Sequence, residues 1–184
     1  VAEGACLEWL PQETIVFNQA TYRQDLRVDL APGATWVGWE ITRLGRSARG
    51  ERFLQGEWRS HTEVWQQETP LWIDRQWLRG SETLLNSPNG LAGCSVIASL
   101  AWIGAPISPE FVEKVRLLWQ STIEAAGAPN CTDEAAVTRL QSGLLCRYRG
   151  HSTQLARQWL TAIWQLIRWS INGQAACLPG VWSL

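Results

Sequence analysis

Residues 26–41 read Leu-Arg-Val-Asp-Leu-Ala-Pro-Gly-Ala-Thr-Trp-Val-Gly-Trp-Glu-Ile, and their alternation decides the fold class. Leu26, Val28 and Leu30 alternate with Arg27 and Asp29, Pro32-Gly33 supplies a turn, and Val37, Trp39 and Ile41 alternate with Gly38, Glu40 and Thr42. A period of two is the mark of a strand with unlike faces, and two such runs around a Pro-Gly turn predict a hairpin. The same period puts Glu40 on the face of Trp36, away from Val37 and Ile41. That face is either solvent or a polar channel.

Working outward, residues 57–65 are expected to pair back onto 71–78 across Gln66-Gln67-Glu68-Thr69-Pro70. Bulk on both faces of 71–78 predicts a strand lying between layers. Asn86, Ser87, Pro88, Asn89 and Gly90 mark 82–90 as a loop, and 91–103 reads as a long apolar strand, so the β-rich part extends to about residue 105. Beyond it, Ser108 can cap a helix and Pro109 suits its first position; Phe111, Val115, Leu118, Trp119, Thr122 and Ile123 form one stripe ending before Gly127. A second amphipathic helix is predicted from Thr153 to Asn172, with Leu155, Trp159, Ala162, Ile163 and Leu166 inward and Gly173 as terminator. Between the helices, 135–140 and 143–149 read as a hairpin carrying Arg147 and Arg149 on one face. The expected fold is α+β: mostly antiparallel β layers, as a β-sandwich or a β-helix-like stack, followed by two amphipathic C-terminal helices. One domain is expected over 1–184, with a β-rich part at 1–105 and a helix-hairpin-helix part at 106–184.

Composition removes several functions. A formal charge of −1 leaves no electrostatic footprint for nucleic acid. No apolar run approaches the roughly 18 residues of a membrane-spanning helix, and residues 1–25 lack the basic start and apolar core of a secretory signal, which makes the cytoplasm the expected compartment. Cys6, Cys94, Cys131, Cys146 and Cys177 show no Cys-x-x-Cys spacing and read as reduced thiols, Cys6 and Cys94 included. The chain has no methionine and starts at Val1 within strand-like sequence, from which an N-terminal portion is expected to be missing. Thirteen tryptophans are far above ordinary usage and read mostly as core.

Catalytic patterns are weak. His61 and His151 sit in no nucleophile elbow or metal-binding helix, and there is no glycine-rich phosphate loop. Glu40 and Glu51 could make a glycosidase pair, but Arg43, Arg46, Arg49 and Arg52 nearby in sequence favour ionised carboxylates, the wrong state for a general acid. Such charge can be a solvated hairpin surface; it can also line an internal polar path or an interface. Carboxylates pass a divalent cation along without trapping it, as clustered thiolates or imidazoles would.

Three stretches carry a resemblance: Leu-Glu-Trp-Leu-Pro-Gln-Glu-Thr-Ile-Val-Phe at 7–17, Leu44-Gly45-Arg46 with Gly50-Glu51-Arg52-Phe53, and Gly-Leu-Leu-Cys-Arg-Tyr-Arg-Gly at 143–150. In order and spacing they resemble the urease accessory protein family UreD, also called UreH. The resemblance implies a non-enzymatic chaperone that joins UreF and the GTPase UreG to load nickel into apo-urease, with no tightly bound cofactor and nickel only in transit through an internal passage. Carried onto this chain, it makes Glu8, Glu13, Glu40 and Glu51 the candidate metal path. Arg46, Arg49, Trp164 and Trp169 are the candidates for partner binding, the two tryptophans because they fall off the inward stripe of the last helix. The alternative from another class is a tryptophan-rich carbohydrate-binding β-domain, whose aromatic faces would stack on sugar rings.

Overall fold

A computed structural model describes residues 1–128, 130–171 and 173–180. Its elements are β1 (Cys6–Trp9), β2 (Thr14–Val16), β3 (Thr21–Leu30), β4 (Thr35–Leu44), β5 (Glu57–Gln66), β6 (Thr69–Arg79), α1 (Glu82–Asn86), β7 (Val96–Ile103), α2 (Pro109–Ala125), β8 (Glu134–Leu140), β9 (Gly143–Gly150) and α3 (Thr153–Ser170). The main sheet runs β1-β4-β7-β9-β8, with β2 following β1 along the same edge of β4. The second sheet is β3-β5-β6. Most pairs are antiparallel, but β1 and β2 run parallel to β4, and β3 runs parallel to β5.

The fold has three layers. Val37, Trp39 and Ile41 of β4 pack with Trp159, Ile163 and Ile167 of α3 in one core. On the opposite face Trp36, Ala101 and Ile103 pack with Val28, Leu30 and Val64 of the second sheet. Glu40 therefore lies on the sheet-to-sheet side, as the alternation requires. Gly38 makes room on that face: a Cβ there would come within 2.0 Å of the Trp36 ring.

The structure corrects the first hairpin. Ala34 N–H donates to the Ala31 carbonyl at 3.0 Å around Pro32-Gly33, with Gly33 left-handed, so the turn forms. It carries the chain from the second sheet into the main one instead of folding it back along a single sheet. The reason lies in the side chains. β4 carries large apolar side chains on both faces, Val37, Trp39 and Ile41 on one and Trp36 and Leu44 on the other, and is covered on both, whereas Arg23, Asp25, Arg27 and Asp29 give β3 an exposed face. Likewise β6 is an edge strand, with Ile73 and Trp77 exposed, and not a strand between layers. The expected loop at 82–90 contains the one-turn α1, whose cap Ser81 accepts from Leu84 N–H at 3.1 Å.

The locally encoded elements form as read. β5 and β6 pair out to Gln66↔Thr69, so the turn is tighter than the expected Gln66–Pro70, and β8 and β9 pair through Leu140↔Gly143. Ser108 Oγ accepts from Phe111 N–H at 3.2 Å to start α2, and Ser152 Oγ from Leu155 N–H at 3.1 Å to start α3. α3 ends at Ser170, two residues short of the expected Asn172, which lies outside the described residues; Gly173 is left-handed beyond it. No helix among the described residues is long and apolar enough to cross a membrane.

Candidate functional site

Between the two sheets, Glu40 reaches across from β4. Its Oε2 accepts from Ser60 Oγ on β5 at 2.5 Å and from Gln24 Nε2 on β3 at 3.0 Å. Burial is the main reason its carboxyl group titrates above the ordinary range, and the nearby Asp74 charge pushes the same way; the Ser60 hydroxyl and Arg147 pull against them. The arginines expected to hold it ionised lie elsewhere. Arg43 donates to Ser47 Oγ and the His151 carbonyl, and Arg52 to Glu82 and Asn86.

The acid that faces Glu40 is Asp74 of β6, which the motif reading missed. Asp74 accepts from Arg147 Nη2 at 2.8 Å and from Gln76 Nε2 at 2.9 Å. Glu40, Asp74, Gln24, Thr62, Gln76 and Ser99 contribute polar groups to a cavity of about 20 Å³, walled by Trp9, Trp36, Trp39 and Trp72. That is room for about one water, too little for a divalent ion with its full hydration shell. Gln76 also lines a neighbouring groove of about 710 Å³ between β6 and the β8-β9 hairpin, together with Arg147. The signal for Asp74 was in the sequence: on β6 it shares a face with Trp72 and Leu78, and a carboxylate between two large apolar groups on one strand face needs a partner.

Glu51 sits in a different place. It follows the short 3-10 turn at Ser47–Arg49, where Gly45 and Gly50 both adopt left-handed backbone. A Cβ on Gly45 would approach the Glu51 carbonyl to 2.5 Å. The Glu51 carboxylate takes the Arg46 guanidinium, the Asn18 N–H at 3.0 Å and the Arg46 N–H at 3.3 Å. These donors, the guanidinium first, hold its pKa down to about 2. Arg46 also lies 4.5 Å above the Phe17 ring. The group is a closed structural knot; Arg49 beside it is exposed.

The remaining path candidates face the helices. Glu8 of β1 pairs with Arg168 of α3 at 2.7 Å, and Glu13 pairs with Arg157 of α3. So the four glutamates do not converge: Glu40 alone lies in the sheet-to-sheet cavity. Trp164 is a correction. It is only 2% exposed and belongs to the α3 core, because the stripe facing the main sheet is wider than the positions read as inward. Trp169 is 69% exposed. His61 contacts Glu63 at 2.9 Å and accepts from Arg75 at 3.1 Å on the outer face of the second sheet. Cys6 is exposed and Cys94 buried, and among the described residues no three His, Cys, Asp or Glu groups gather where they could hold a metal. Among the described residues the exposed tryptophans Trp9, Trp77 and Trp169 lie on β1, β6 and α3, in three different layers, and form no shared sugar-stacking platform.

Comparison with known proteins agrees with the sequence motifs. The family model described as UreD urease accessory protein matches residues 1–183. Proteins named urease accessory protein UreD are similar along the chain: that of Nostoc punctiforme is 60% identical over 100% of this chain and 62% of its own length. The one from Trichormus variabilis is 57% identical over 97% of this chain and 61% of its own, and that from Acaryochloris marina 56% over 98% and 62%. The chain thus spans somewhat under two thirds of the length of these relatives.

Proposed function

The chain belongs to the UreD urease accessory protein family, and from that premise we propose that it acts in urease maturation as a non-enzymatic cytoplasmic chaperone. In this reading it joins homologues of UreF and of the GTPase UreG on apo-urease, and nickel is cargo that passes between the two sheets without being stored. The observation that supports a passage is the Glu40–Asp74 cavity. It combines two carboxylates with hydroxyl and amide oxygens and no thiolate or imidazole, a donor set that favours weak oxygen contacts to a divalent ion over tight capture. Its small volume requires the ion to shed most of its water or the sheets to part.

The test is urease activation in cells carrying the whole accessory protein. Glu40→Ala and Asp74→Ala are expected to lower nickel content and activity of urease while the variant still co-purifies with its partners. Glu51→Ala is expected to act through folding, because Glu51 lies outside the cavity. Full activation by the folded Glu40→Ala, Asp74→Ala double variant would refute the passage.

A further inference from the structure

The second sheet is three strands wide and the main sheet five, so part of the main sheet's inner face goes without cover. Hydrogen bonds fix where the cover stops. Gln24 of β3 and Ser60 of β5 reach Glu40 of β4, and Asp74 of β6 reaches Arg147 of β9. β8 lies one strand further out. In register, Ala136 follows Arg147 and Glu134 follows Arg149, and the β8 residues on this face, Glu134, Ala136 and Thr138, are all exposed. The open space is the groove of about 710 Å³ between β6 and the β8-β9 hairpin.

β6 ends the second sheet, and its outer edge pairs with no strand among the described residues. It runs for 11 residues and exposes Ile73 and Trp77. A long exposed edge with apolar side chains is a template for a further strand. A strand added there would extend the second sheet over β8. Alternate side chains would point onto β9 and β8, and the others would lie beside Arg75, Trp77 and Arg79.

The charge of that space selects the occupant. Among the described residues Arg75, Arg147 and Arg149 line it, against one acid, Glu134. The acids that hold the first two lie deeper than their arginines: Asp74 is 13% exposed against 40% for Arg147, and Glu63 19% against 70% for Arg75. Arg147 donates to Asp74 through Nη2, and its other N–H groups can serve a second carboxylate. Arg147 and Arg149 stand two residues apart on one strand, about 7 Å, which is also the spacing of like-facing side chains along an added strand. A second copy of the chain would bring another β6, whose Arg75 and Arg79 add to the positive charge instead of offsetting it.

We propose that this groove docks an extended, acidic segment of a partner protein, which adds to β6 as a fourth strand of the second sheet. Backbone hydrogen bonds to the β6 edge supply affinity, and carboxylates at alternate positions, facing Arg147 and Arg149, supply selection. This docking role does not depend on passage of an ion through the Glu40–Asp74 cavity.

Fluorescence anisotropy of a labelled octapeptide of alternating glutamate and valine, titrated with the whole protein, tests this. The peptide is expected to bind, and to lose about tenfold or more in affinity when lysine replaces its glutamates. A fully N-methylated analogue keeps the charges, lacks the N–H donors and is expected not to bind. Ala136→Glu puts an acid on an exposed position of the groove, where the fold tolerates it, and is expected to weaken binding about tenfold, while Ala136→Lys binds at least as tightly as the parent. Hydrogen exchange should slow in β6 on binding and stay unchanged in β3, the other edge of the same sheet. Binding that survives N-methylation, binding that favours the lysine peptide, or an unchanged affinity in Ala136→Glu overturns the proposal. So does a complete lack of binding, whether the β6 edge is already protected by another part of the whole protein or by a second copy seen as a dimer in sedimentation.

Discussion

Asp74 and Arg147 are 73 positions apart in the chain and 2.8 Å apart in space, and their contact ties the edge of the second sheet to β9 of the main sheet. With strands about 4.8 Å apart, Arg147 is two strands, or about 10 Å, from Glu40 along its own sheet. Its guanidinium crosses the gap between the sheets to Asp74 instead of running along its own sheet to Glu40. One carboxylate is thus held by a half-exposed guanidinium from the groove side, and the other by neutral donors from the second sheet.

This asymmetry predicts unequal costs for removing charge pairs. The Asp74–Arg147 pair is partly buried and joins two sheets, so a double-mutant cycle on Asp74→Ala and Arg147→Ala should give a coupling of about 1–2 kcal/mol. The exposed Arg52–Glu82 pair should give under about 0.5 kcal/mol in the same assay. Urea denaturation followed by tryptophan fluorescence measures both; equal couplings would show that the sheet-to-sheet contact carries no special weight.

Glu40 and Glu51 should bend the pH dependence of stability in opposite directions. Glu40 titrates above its ordinary 4.5 in the folded protein, chiefly through burial, so folding retains its proton where the unfolded chain has lost it. Its contribution is therefore most favourable below 4.5 and declines as pH rises through the raised folded value. Glu51 is held at about 2, so its contribution is complete above 4.5 and is lost as pH falls toward 2. Relative to the parent, Glu40→Gln should gain stability as pH rises from 4.5, and Glu51→Gln should remove part of the loss on acidification. Denaturation midpoints from pH 3 to 8 check both signs.

How much of this was legible in the sequence depended on how local the cause was. The β5-β6 and β8-β9 hairpins and the Ser108 and Ser152 caps follow from residues a few positions apart, and all formed. Alternation also placed Glu40 on the face opposite Val37, Trp39 and Ile41. What alternation could not supply was the partner of each strand: Pro32-Gly33 turns the chain whichever sheet receives it, and only the apolar bulk on both faces of β4 marks it as central. The Asp74–Arg147 contact needed the packing of two sheets. The position of Arg147 on its strand face and of Asp74 between Trp72 and Gln76 can be read from the sequence, but the pairing of the two cannot.

Trp164 and Trp169 separate core from surface on one helix. Trp164→Ala should cost about 3–5 kcal/mol, since it empties a fully packed position. Trp169→Ala should change stability by under about 0.5 kcal/mol, being largely in solvent. If Trp169 serves a partner, its loss shows in co-purification with the UreF homologue and not in the melt. A stable Trp169→Ala that retains every partner would remove it from the interface.

Glu8 and Glu13 hold the main sheet's β1-β2 edge against α3, and that predicts a stability effect without a transport effect. Each faces an arginine of α3, Arg168 and Arg157, on side chains 21–29% exposed. Glu8→Gln and Glu13→Gln should therefore each lower stability by about 1 kcal/mol. Arg168 also lies 5.5 Å over the Trp164 ring, so Arg168→Ala should cost more than Glu8→Gln by removing packing as well as charge. Neither glutamate lines the sheet-to-sheet cavity, and urease activation by the folded variants should match the parent. Loss of urease activation in Glu8→Gln with an unchanged melt would move the path from between the sheets to the helix side of the main sheet.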